Sequence, residues 1–206
     1  MHPKWQKRIL KYYQDLLTVD GKQTVQLIVA THSPYIVEEA LKDPEDTLVI
    51  ILKEKDRQIE VKYLTDIDFI TKTSAEVNYV AFDISSVDYH QMLYAHLQDS
   101  TNKNSKKECD EYIEKSCHYN KTEHEKLSSH NKTNYKTLPT YVRNAIGHPY
   151  EKDKSGNRTG KKKEYNEDDL RTSIELMRKI QDNSPATSSQ WLSWTFSARC
   201  DIMALC

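Results

Sequence analysis

Between residues 4 and 17 the apolar positions Trp5, Ile9, Tyr12, Tyr13 and Leu16 recur at three- and four-residue intervals among lysines and glutamines. That spacing predicts an amphipathic helix. Asp20-Gly21-Lys22 is a turn signal. The segment VQLIVAT (25–31) is an apolar run rich in β-branched residues, which predicts a strand buried on both faces of a parallel sheet. Ser33-Pro34 stops it, and Pro34 sits well at the first turn of a short helix, YIVEEALK. TLVIILK (47–53) predicts a second buried strand. Asp56-Arg57-Gln58 turns the chain, and QIEVKYL (58–64) alternates as an antiparallel edge strand does. Residues 1–64 therefore read helix, strand, helix, strand, strand. This is a piece of an α/β sheet domain with too few strands to close a core.

Beyond residue 73 the strand signal stops. SAEVNYVAF and SVDYHQMLYAHLQD carry helical patterns, and KKECDEYIEKSCHY predicts a further helix. Residues 119–136 are polar and are read as loop. TLPTYVRNAI (137–146) begins with Thr137 as a candidate cap. NEDDLRTSIELMRKIQ (166–181) is the strongest helix, with Asn166 as N-cap, acids in its first turn, and Leu170, Ile174, Leu176, Met177 and Ile180 on one side. The second half is thus expected to be all-α. The tail from 184 has no period and is left unassigned, with Trp191 and Trp194 as candidate covers of an apolar patch.

Composition narrows the class. Among 206 residues, 37% are hydrophobic and 30% charged, and the formal charge is −1. No global field draws nucleic acid in, although GKKKEY (160–165) is a local basic run, either a solvated loop or a phosphate contact. No apolar stretch approaches the roughly 20 residues of a membrane helix, and no signal core is visible. Cys109, Cys117, Cys200 and Cys206 form no CxxC pair and are read as free thiols in a reducing cytoplasm. His118, His124 and His130 with Cys109 and Cys117 fit no zinc spacing. His90 and His96 are read as packing or surface residues, and Glu76, Asp83 and Asp88 as surface charge. None of the four glycines forms GxGxxG or GxxxxGK[ST], so the chain has no phosphate-cradling loop of its own.

His32 stands where the first predicted strand runs out, the end at which open α/β sheets bind ligands. It either caps the strand or hydrogen-bonds a phosphate oxygen or a water. QLIVATHSP resembles the switch-histidine segment of the ABC-type branch of AAA-family ATPases, the group that includes OLD-like ATPases. MHPKWQKRIL resembles the HPxWQ segment that precedes it there. The resemblance implies that His32 senses a γ-phosphate. It also implies that the P-loop lysine, the Mg²⁺-holding aspartate and the general-base glutamate lie outside this sequence, so this chain alone should not hydrolyse ATP.

A second constellation is TLPTYVRNAIGHPYEK. Arg143 and His148 lie roughly 140° apart on a regular helix. Gly147 and Pro149 end that helix near 146 and free the imidazole to turn toward the guanidinium. The pair suits phosphodiester cleavage, with His148 as general acid or base, Arg143 as a fork for phosphate and Asn144 as a polar positioner. The same letters also describe an arginine bonded to helix-end carbonyls beside a helix stop. The stretch resembles the R-x(4–6)-H motif of HEPN domains, helical bundles that include metal-independent endoribonucleases acting as homodimers. Gly147 stands where that family commonly has a first histidine.

The expected architecture is therefore an α/β fragment over 1–64, comprising the C-terminal strands of a P-loop ATPase sheet without P-loop or Walker B. An all-α HEPN-like helical domain follows over 73–182, with an unassigned tail at 184–206. The resemblances imply ATP and Mg²⁺ as cofactors of an intact ATPase, neither expected to bind tightly here. They also imply RNA as substrate, a homodimer, a partner defence protein and an antiphage role in the cytoplasm. The alternative is a helical tail that only dimerises or binds a partner.

Overall fold

His2 and Pro3 open helix α1 (Pro3–Leu16): the proline sits in the first turn, and His2 Nδ1 accepts the Lys4 N–H at 3.2 Å. The structure, a computed structural model, describes residues 2–23, 25–43, 45–64, 69–130, 133–152, 158–182 and 201–205. Asp20 and Gly21, at φ 51° and 71°, make the two-residue turn between β1 (Thr18–Val19) and β2 (Lys22–Gln23). Positive φ at both central positions is what a type I′ hairpin needs. Then come β3 (Val29–Ala30), α2 (Pro34–Ala40), β4 (Thr47–Lys55), β5 (Gln58–Leu64) and α3 (Ser74–Phe82).

The β4–β5 hairpin uses the same turn with less suitable residues. Lys55 pairs with Gln58, leaving Asp56 (φ 51°) and Arg57 (φ 63°) both left-handed. Arginine meets Cβ strain there that glycine avoids. Arg57→Gly is expected to stabilise this hairpin by about 0.5–1 kcal/mol, net of the added freedom of the unfolded chain. A higher urea midpoint would show it.

One face of β4–β5 (Val49, Ile51, Leu64) is buried with Leu10 of α1, Ile36 and Val37 of α2, and Val77 and Ala81 of α3. The opposite face carries Ile59, Val61 and Tyr63, all more than half exposed. The expectation of a strand over 25–31 buried on both faces is corrected: only Val29–Ala30 pair, and Ile28 is 63% exposed. A strand needs a layer on each side to be buried twice, and the described residues cover one side. Glu76, read as surface charge, is fully buried. Its carboxylate accepts the N–H groups of Ile70, Thr71 and Lys72 at 2.5–2.9 Å, so it ties down the loop that leads into α3.

The chain divides into two compact units at Ile84/Ser85. Helix α3, whose pattern assigned it to the helical domain, thus packs in the first unit. The second unit contains α4 (Val87–Thr101), α5 (Lys106–Glu114), α6 (Lys121–His124), β6 (Glu125–His130), β7 (Thr133–Thr137), α7 (Leu138–Gly147), β8 (Tyr150–Lys152), β9 (Arg158–Lys162) and α8 (Glu167–Asp182). Each main helix starts on a side-chain cap. Ser86 accepts the Tyr89 N–H, Ser105 and Glu108 form a reciprocal capping box, and Asn166 accepts the Asp169 N–H at 2.7 Å while Asp169 accepts that of Asn166. Tyr89, Leu93 and Leu97 of α4, Ile113 of α5, Val142 of α7 and Ile174 and Met177 of α8 meet in a core from which water is excluded. Two expectations are corrected here. The unit is not all-α: β6–β7 and β8–β9 are antiparallel hairpins. The described part of 119–136 is not loop: it holds α6, β6 and most of β7. These strands are polar and held by backbone ladders, so no apolar alternation announced them. A last strand, β10 (Asp201–Leu205), lies in the stretch left unassigned. It pairs in parallel with β3 and β4, giving the sheet order β3-β10-β4-β5 in the first unit. Trp191, Trp194, Cys200 and Cys206 lie outside the described residues.

His90 is buried between α4 and α8, with Nε2 2.8 Å from Ser173 Oγ. Burial pushes its pKa down from 6.5 to about 3. The unfolded chain therefore binds this proton first. The stability His90 permits is fully present above pH 6.5 and is lost as pH falls toward 3, by up to about 1.4 kcal/mol per pH unit. His90→Gln, which keeps a partner for Ser173, should flatten the fall in urea midpoint between pH 6.5 and 5. An unchanged slope would show that other groups govern it.

Candidate functional site: the C-terminal turn of α7

The start of α7 is fixed from α5. Asp110, 4% exposed, accepts the Lys136 N–H (2.9 Å), the Thr137 N–H (3.1 Å) and the Thr137 hydroxyl (2.6 Å). Thr137, the cap expected from the sequence, in turn accepts the Thr140 N–H. A carboxylate from a helix 27 residues upstream thus sets where α7 begins, and the turn at its far end inherits that placement.

At that end Gly147 is the last helical residue and His148 the C-cap, its N–H donating to the Asn144 carbonyl at 2.8 Å. The His148 side chain is exposed. Arg143 is half-buried and runs along the helix toward the same end: a Cβ on Gly147 would lie 3.7 Å from Arg143 Nη1. The guanidinium thus lies within ordinary contact distance of the Gly147 position. Helix α7 ends at Gly147, one residue past the expected 146, with Arg143 four residues before that end and His148 directly after it.

Asn144 is fully buried. Its Oδ1 accepts from Lys106 Nζ at 3.2 Å, and its Nδ2 has no partner among the described residues. It therefore acts on the turn by holding Lys106, the first residue of α5. Lys106 Nζ also stands 5.9 Å from the centre of the Tyr135 ring. Burial, and then the positive charges of Arg143 and Lys163, hold the Lys106 pKa below its ordinary value. Lys163, from the basic run at 160–165, is 8% exposed, and its N–H donates to the Pro149 carbonyl at 2.8 Å. Lys106 and Arg143 thus stand near this turn, and the Lys163 backbone is tied to the chain just past it. Beside them a cleft of about 850 Å³ is lined by Ala145, Ile146, Pro149, Lys163, Tyr165 and Leu170, among others. Sequence reasoning found Arg143, Asn144 and His148 but not Lys106, which lies 38 residues from Asn144 and in no motif.

In the first unit, His32 is exposed at the end of β3. Its neighbour Ser33 leaves α2 without a side-chain cap and instead donates its hydroxyl to Gln6 Oε1 at 2.8 Å. Lys7 stands over the Tyr35 ring at 5.3 Å and 3.9 Å from Glu38. The start of α1 and the start of α2 are thus bonded to each other. No protein-family model, curated protein or solved structure matches this chain.

Among the described residues no three His, Cys, Asp or Glu side chains stand together as a metal site. His124 Nδ1 accepts the Asn120 N–H at 2.8 Å, a local turn contact. Cys109 is buried, and burial pushes its thiol up to about 11. No helix among the described residues is long and apolar enough to cross a membrane.

Proposed function

We propose that the unit beginning at Ser85 is a metal-independent, HEPN-like endoribonuclease. The observation that carries the reading is the α7 turn, where the Arg143 guanidinium lies beside Gly147 and His148, its imidazole exposed, caps the same helix through its backbone N–H. Arg143 holds the non-bridging oxygens of a phosphodiester with two parallel N–H donors. His148 moves a proton at the ribose 2′-oxygen or at the leaving 5′-oxygen. The 2′-oxygen–phosphorus bond forms, the phosphorus–5′-oxygen bond breaks, and the products carry a cyclic phosphate and a 5′-hydroxyl. Two proton transfers need two acid–base groups, so a second copy of the chain supplies the other histidine in a homodimer.

The first unit is read with it as the C-terminal part of an AAA/ABC-type ATPase sheet. His32 there would meet a γ-phosphate bound, with Mg²⁺, by parts of an intact enzyme outside this sequence. The bond from Ser33 to Gln6, which joins both resembling segments, supports this reading.

The test is incubation of the full chain with RNA in EDTA beside His148→Ala and Arg143→Ala. Cleavage that disappears in both, leaving cyclic-phosphate ends in the parent, is the expected result. A parent that dimerises without cutting RNA would leave this unit a dimerisation module.

A further inference from the structure

We propose that the outer edge of β5 is a self-complementary interface, through which two copies of this chain pair antiparallel about a two-fold axis at Val61. The proposal stands apart from the ribonuclease reading, which needs a second copy but gives it no surface.

β5 ends the sheet order β3-β10-β4-β5, and among the described residues no strand lies beyond it. Its register with β4 decides which main-chain groups remain at that edge. Lys55 and Gln58 close the two-residue turn and bond to each other. Opposite residues of an antiparallel pair then alternate between exchanging both bonds and exchanging none. Gln58, Glu60, Lys62 and Leu64 therefore bond to β4, and the N–H and C=O groups of Ile59, Val61 and Tyr63 point outward. These residues are all more than half exposed. Such an edge attracts other strands unless a proline, a bulge or a charge blunts it. β5 holds no proline and follows β4 from Gln58 to Leu64 without a register shift.

The order of the side chains selects a second copy as the occupant. Outward groups bond only to outward groups, so two β5 strands must set Ile59, Val61 and Tyr63 against one another. An axis at Val61 places each Ile59 against the other copy's Tyr63 and leaves none of these groups unpaired. It also places each Glu60 directly opposite the other copy's Lys62, at the positions without hydrogen bonds where side chains come closest. The neighbouring axes, at Glu60 or Lys62, would set glutamate against glutamate or lysine against lysine. Glu60 and Lys62 also interact within their own chain. It is their order along the strand, not an idle charge, that matches a second copy. The other edge of the sheet, β3, is only Val29–Ala30. That is too short for the same pairing, so the assembly closes as a dimer instead of growing.

The experiment is sedimentation velocity of the full chain across a concentration series, beside Glu60→Lys, Lys62→Glu and an equimolar mixture of the two. Each variant alone sets like charges opposite each other, whereas in the mixture every such pair is again opposite in sign. The expected result is a parent dimer whose dissociation constant rises about tenfold in each variant alone and returns near the parent value in the mixture. Both side chains are exposed, so each variant should keep the parent's urea midpoint. Hydrogen exchange at the Ile59, Val61 and Tyr63 amides should slow as concentration rises, which reports the register. A parent that stays monomeric, a dimer indifferent to both changes, or folded variants that do not recover on mixing overturns the proposal. Dimerisation with this pattern in a chain that cuts no RNA would keep the interface and remove the ribonuclease reading. RNA cleavage by a parent whose association ignores both changes would do the reverse.

Discussion

Asp110→Ala is expected to destabilise the second unit by about 3–5 kcal/mol, read as a lower urea midpoint. Asp110 accepts from three donors at one corner, of which the Thr137 N–H and hydroxyl are buried. Removing it takes away charge-assisted bonds and leaves the buried Thr137 N–H without its acceptor, which adds a desolvation cost, while the Thr137 hydroxyl keeps Thr140 Oγ1 at 3.1 Å. Asp110→Asn keeps one acceptor oxygen and should lose about half as much. The effect should reach the far end of α7. If Thr137 no longer fixes the start of that helix, Asn144 no longer meets Lys106 in register, and RNA cleavage by the folded remainder should drop as well. An unchanged midpoint in Asp110→Ala would mean that the start of α7 is held by its core contacts alone.

His148→Ala should lower the RNA cleavage rate about 10²–10⁴-fold while leaving the urea midpoint within about 0.5 kcal/mol of the parent. The separation is possible because the exposed imidazole adds little to packing, and the bond His148 makes to Asn144 comes from its backbone N–H, which alanine retains. Arg143→Lys sharpens the test. Lysine keeps the charge and loses the fork, so binding of phosphate should survive in part while cleavage falls nearly as far as in Arg143→Ala. Equal cleavage by His148→Ala and parent would end the acid–base role assigned to this residue.

Helices with their own signals were legible beforehand. α8 shows an Asn166 cap, a first turn of acids and a regular apolar side, and each feature is local. α7 showed its Thr137 cap and its Gly-His-Pro stop. The β6–β7 and β8–β9 strands have no comparable signal, because sequences such as EKLSSH and RTGKK pair through backbone groups alone. The 25–31 run misled for the opposite reason. It is apolar enough for a doubly covered strand, but burial depends on a second layer, which no local pattern specifies. The site divides in the same way. Arg143, Asn144 and His148 lie in one helical turn and its stop, so a motif exposes them. Asp110 and Lys106 act on that helix across 27 and 38 residues. Glu76 looked like an ordinary acid, because nothing in its neighbours' letters says that three N–H groups will converge on it.

The pairing of α4 with α8 has a consequence for how the chain is made. His90 and Ser173 meet across 83 positions. A ribosome adding about 5–20 residues per second needs roughly 4–17 s to cover that interval. For most of it Tyr89 and His90, whose partners Arg178 and Ser173 lie on α8, wait without that helix. The second unit is therefore completed only when its last helix emerges, and a nascent chain paused before α8 presents its stickiest surface to chaperones.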